Sequence, residues 1–121
     1  MAGANILGAA SISPQIIMAQ QIGVTDTAVY SVGLGKSIKV ATATLCNTSA
    51  SAVTVNVSLV PVGGTVGDGT HKVVSGYSLA ANDTLEIPGF PGAMLGPGDM
   101  IAAYAGTASV VVLAITGTVH A

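Results

Sequence analysis

Val53-Thr54-Val55-Asn56-Val57-Ser58-Leu59 puts valine or leucine at every second position, with a small polar residue between each pair. Successive side chains of a β-strand point to opposite faces. The stretch therefore makes one apolar and one wet face, the pattern of a half-buried strand. Leu85 and Ile87 repeat it against Thr84 and Glu86. Moving outward, β-branched runs recur at 28–32, 37–45, 52–60, 71–77, 84–87, 100–104 and 110–119. Pieces rich in Gly, Pro, Asn and Asp separate them, at 33–36, 47–51, 63–69, 80–83, 88–92 and 96–99. Short strands at such regular spacing predict an all-β chain, a jelly-roll-like antiparallel β-sandwich of about seven or eight strands.

Two segments depart from simple alternation. In 109–119, Val110, Val112 and Ala114 lie on one face, and Val111, Leu113, Ile115 and Val119 on the other. A strand apolar on both sides needs cover on both, either from a central place in its own sandwich or from a neighbouring subunit. In the first 25 residues, Ser13-Pro14 before 15–22 and Gly23 resembles helix punctuation. A short helix, an extended arm and a first strand all fit there. The expected organisation is an N-terminal arm at 1–25 and one β-sandwich domain at 26–121. Ile16, Ile17 and Met18 of the arm, with Val111, Leu113 and Ile115 of the last strand, are the candidate interface residues.

Composition bounds the partners. The chain has 121 residues, one domain's worth, and its single cysteine, Cys46, can form no internal disulfide. Three lysines, no arginine and five acidic residues make it 7% charged, against about 25% in ordinary soluble domains. Half of the residues are hydrophobic, and the mean hydropathy is +0.75. No membrane span is expected, because spanning takes about 20 apolar residues and the longest run, 110–115, ends at Thr116-Gly117. A secretory signal is not expected either: the start lacks basic residues, and its apolar core is only 16–18. Nucleic acid is not expected as a partner, given the shortage of cations for phosphate neutralisation and of aromatics for stacking. Soluble monomers normally rely on dense charge, whereas low charge and high apolar content mark obligate interfaces. The expected partner is the chain itself, as a homo-oligomer.

No catalytic, metal or cofactor chemistry is expected. Gly35-Lys36-Ser37 has Tyr30 where a phosphate loop needs its first glycine, so the stretch is expected to be a hairpin turn. Asp68 and His71 lie close in one loop without a third ligand at a metal spacing, and His120 is expected to be a solvated terminus. No serine sits in a Gly-x-Ser-x-Gly elbow. Cys46 has no neighbouring base and is expected to be a small buried packing residue. Asp83 and Glu86, three apart on a strand, are expected to point to opposite faces. The triplets at Asn47, Asn56 and Asn82 are expected to serve turns and strands rather than glycans.

Residues 30–119 resemble a family of small β-sandwich virion proteins of tailed bacteriophages. The resemblance is carried by Tyr30-x-Val32 then Gly35-Lys36, by Leu45-Cys46-Asn47-x-Ser49-Ala50 with Val53-Thr54-Val55, and by Leu59-Val60-Pro61. Ser78-Leu79-Ala80-Ala81-Asn82-Asp83-Thr84-Leu85 and Leu95-x-x-Gly98-Asp99-x-Ile101 complete it. It implies a structural role in the virion without catalysis. That role is a capsid decoration or cement protein, often a homotrimer, that binds the major capsid protein or another virion protein on the capsid surface. The alternatives it leaves are a tail, collar or baseplate accessory protein, or a module that binds host glycans through exposed Tyr77 or Tyr104.

Overall fold

A computed structural model describes residues 12–67 and 69–121. The first eleven residues of the expected arm, and Asp68, lie outside the described residues. The described chain is all-β. Its strands are β1 (Ile12–Gln21), β2 (Thr27–Ser31), β3 (Ser37–Asn47), β4 (Val53–Val60), β5 (Lys72–Leu79), β6 (Thr84–Glu86), β7 (Met94–Leu95), β8 (Met100–Ala105) and β9 (Val111–His120). One sheet runs β1-β9-β3-β6, with β7 also paired to β3, and the other runs β2-β8-β4-β5. Every pairing is antiparallel. Leaving out the two-residue β7, the pairs β4–β5, β3–β6, β2–β8 and β1–β9 nest within one another. This is the connectivity of a long hairpin rolled into two sheets, a jelly roll.

All seven expected strands are present. Two more appear: β7, too short to leave a periodic signal, and β1, which settles the three-way choice for the first segment as a strand. Pro14 sits within β1, opposite Thr118. Proline is tolerated there because β1 is an edge strand, whose second side needs no ladder donor. A register shift between Ile16 and Met18 inserts Ile17 as a bulge. The bulge turns consecutive apolar side chains inward, so the segment shows neither a helical nor a strand period.

The core lies between the sheets. Ile38, Val40, Ala43 and Leu45 of β3 meet Val53, Val55 and Val57 of β4 and Ile101 of β8 across the gap. Each fully buried aliphatic side chain stabilises the fold by about 1.5–3 kcal/mol. Phe90, the only phenylalanine, is fully buried although it stands in the expected connection at 88–92. Backbone bonds Gly92 N to Val40 O (2.7 Å), Ala93 N to Phe90 O (2.8 Å) and Val40 N to Ala93 O (2.8 Å) hold that connection along the edge of β3.

Asn56 and Ser58 of β4, the wet face of the opening stretch, are only 6% exposed. Beside them, the 61–71 connection runs from Val60 toward Asp26. A methyl group on Gly64 would lie 3.0 Å from Val60 Cγ1, and one on Gly67 would lie 3.8 Å from Asp26 Oδ2, beside β2 at the far edge of the sheet. Asn56 Oδ1 accepts from Gly76 N (2.9 Å) and from Lys72 Nζ (3.4 Å), which compensates its burial. Local alternation is blind to partners that come from elsewhere in the chain. The turn at 33–36, with Lys36 N bonded to Gly33 O at 3.2 Å, also differs from expectation. It is no hairpin, since β2 and β3 belong to different sheets.

Candidate contact surfaces

Of the six candidate interface residues, five serve the chain's own core. Val111, Leu113 and Ile115 are completely buried, because β9 is an inner strand of its sheet and its odd-numbered side chains face the other sheet. Met18 is buried opposite Ile115, and Ile17 packs partly buried against the same core. Only Ile16 stands free, 68% exposed. The second apolar face of β9, with Val112 and Ala114, is half-buried on the outside of the sheet. The choice left open for the last strand is thus decided for its inner face, which its own sandwich covers.

Ile12, Val24, Leu34, Val62, Val73, Tyr77 and Met94 are exposed as well. No sequence period marks them, because each stands at a strand edge, on an outer face or in a turn. Leu34 tips the turn at 33–36 and is 91% exposed.

Each end of the sandwich is tied by one polar side chain. At one end the buried Asn47 donates from Nδ2 to Ser51 O (2.8 Å), Leu79 O (3.1 Å) and Ala80 O (3.2 Å). Its Oδ1 accepts from Ser49 N (2.9 Å) and Ser49 Oγ (2.8 Å). At the other end, Asp99 accepts from Val62 N on Oδ1 and from Gly96 N on Oδ2, both at 2.9 Å. Val32 N bonds to the Asp99 carbonyl at 2.9 Å. Asn47 and Asn56 are buried structural residues, and Asn82 adopts φ 55° in a turn. Asp83 Oδ1 accepts from Thr84 N (2.9 Å) in that same turn.

Three further expectations change. Cys46 is half-buried on the outer face of β3, opposite Val112, rather than in the core. His120 is buried, with Nε2 2.9 Å from Thr118 Oγ1, because it pairs with both Ile12 and Ser37 inside the sheet. Tyr104 is half-buried under Lys72, whose Nζ is 3.3 Å from its hydroxyl. Tyr77 is 44% exposed. It lines a cleft of about 440 Å3 with Val73, Ser75, Ser78, Leu85 and Pro88, at the seam where β5 and β6 end the two sheets.

Among the described residues, no three His, Cys, Asp or Glu side chains gather as a metal site, and no helix is long and apolar enough to cross a membrane. No family model and no curated protein matches the chain.

Proposed function

We propose that this protein is a non-enzymatic virion structural protein, a homo-oligomeric decoration or cement protein of a tailed-bacteriophage capsid. One observation carries the proposal. With its core already sealed, the subunit still exposes eight large hydrophobic side chains among the described residues, while the entire chain has only three lysines and five carboxylates to keep it dispersed. Such a surface is suited to being covered. The resemblance of residues 30–119 to phage virion proteins supplies the setting. Contacts with the capsid would be made by exposed side chains such as Leu34 and Val62, since Val111, Leu113 and Ile115 are committed to the core. Mass spectrometry of purified particles from the phage that encodes the chain tests this, together with localisation of its density by electron microscopy. Stoichiometric copies on the head are expected. Density on the tail, collar or baseplate would move the role to an accessory there, and absence from particles would refute it.

The exposed Tyr77 beside its cleft favours a second reading, a module that binds host glycans by stacking a sugar on the ring. A glycan-array signal abolished by Tyr77→Ala supports it, and a blank array removes it.

A further inference from the structure

We propose that the outer face of the β1-β9-β3-β6 sheet is a two-fold self-association surface, on which a second copy of the chain docks face to face. The proposal rests on the homo-oligomeric part of the function proposed above and names the surface responsible. The pairing registers place Ile16, Thr116 and Thr42 in one row across β1, β9 and β3. Ala114 and Thr44 belong to the next row, which ends at Glu86 on β6. On the other side of the Thr42 row, Lys39 pairs with Thr118. Ile38 is fully buried, so the neighbouring Lys39 points outward; likewise Leu45 is fully buried and Thr44, paired with Glu86, points outward. Lys39 and Glu86 are both exposed, and they are the charged residues of this face.

Their placement is self-complementary. The Lys39 and Glu86 rows meet β9 at Thr118 and Ala114, four positions apart or roughly 13 Å, because β3 carries a bulge between Val40 and Thr42, and the Thr42–Thr116 hydroxyl pair (2.6 Å) lies midway between them. A two-fold axis in the plane of the face, crossing the strands at that threonine pair, exchanges the two levels. It brings Lys39 of each copy over Glu86 of the other, offset by one strand spacing of about 4.8 Å, which the lysine's four-carbon stem spans. Between the two ion pairs lie only small or uncharged side chains, so no like charges oppose one another. Three strands about 33 Å long and the three-residue β6 present roughly 500 Å2 per subunit. A pair thus buries roughly 1,000 Å2, the size of a weak, reversible interface. Sheets stack readily in this aligned manner, and a single patch used by both partners closes the assembly as a dimer.

A reciprocal charge swap tests the proposal by sedimentation equilibrium, with circular dichroism confirming that each variant is folded. Wild type should dimerise in the micromolar range. Lys39→Glu and Glu86→Lys should each weaken the dimer about tenfold or more, because each places two like-charged pairs across the axis. The double variant K39E/E86K should recover to within about threefold of wild type. Ile16→Asp, at the level of the axis, should weaken the dimer with no charge partner to restore it. A wild type that is monomeric at about 100 μM, a trimer, or a double variant no tighter than the single ones would overturn the proposal. Particle composition separates this outcome from the functional one. A monomer still found on virions refutes the face pairing alone, and a charge-swappable dimer absent from virions refutes the virion role alone.

Discussion

Replacing Asn47 with alanine removes the side chain that joins the end of β3 to the loops after β3 and β5. Its amide has two hydrogens shared among the carbonyls of Ser51, Leu79 and Ala80, and its oxygen accepts two bonds from Ser49. Asn47 is fully buried, so water reaches the vacated groups poorly. A lost hydrogen bond costs about 0.5–1.5 kcal/mol net, and more where a buried partner is left without another. Asn47→Ala deletes four bonds, two donated and two accepted, while Ser49 Oγ still bonds Ser51 O and Asp83 N still bonds Ala80 O, which gives about 3–4 kcal/mol. An unfolding entropy of about 2.1 cal/mol/K per residue makes each kcal/mol worth about 4 °C in a chain of this length. The expected fall in Tm is therefore about 12–16 °C, with a matching loss in the urea midpoint and an unchanged m-value. Ser49→Ala removes one of the five contacts and should cost about 1 kcal/mol or less. An Asn47→Ala protein within about 1 kcal/mol of wild type would refute the idea that this side chain clamps the end of the sandwich.

Leu113→Asp should abolish the cooperative unfolding transition, since a carboxylate there is buried in the core without a partner; a loss above about 4 kcal/mol is expected. A soluble, cooperatively folding variant would contradict the burial of β9. Gly117→Ala should cost about 2 kcal/mol or more, because an added methyl would land on the Lys39 carbonyl oxygen; calorimetry reads it as a lowered Tm. Asp99→Ala should cost about 1–2 kcal/mol by freeing the amides of Val62 and Gly96. It should also speed proteolytic nicking at 61–64, and an unaltered nicking rate would show that Asp99 does not hold that loop.

Much of the architecture is legible in short-range pattern. Alternation in 53–59 and 84–87 identifies strands, and the Gly, Pro, Asn and Asp pieces mark turns, because the pleat and the turn geometries act over two to four residues. The scarcity of charge is equally plain in composition, and with it the expectation of a covered surface. Position within the sheets is not legible in this way. Val111, Leu113 and Ile115 read the same whether a second sheet or a second subunit covers them, and only the rolled connectivity makes β9 an inner strand. Ile16, Ile17 and Met18 look alike in sequence, yet the bulge exposes the first and turns the other two inward. Asn56 and Ser58 belong to a wet face by period, yet both are buried, and Asn56 is bonded by Lys72 and Gly76 of the neighbouring β5. Lys39 and Glu86, 47 positions apart in sequence, share a face only because β6 pairs with β3. Secondary structure follows from neighbours along the chain, whereas burial and surface pattern follow from which distant segments the fold brings together.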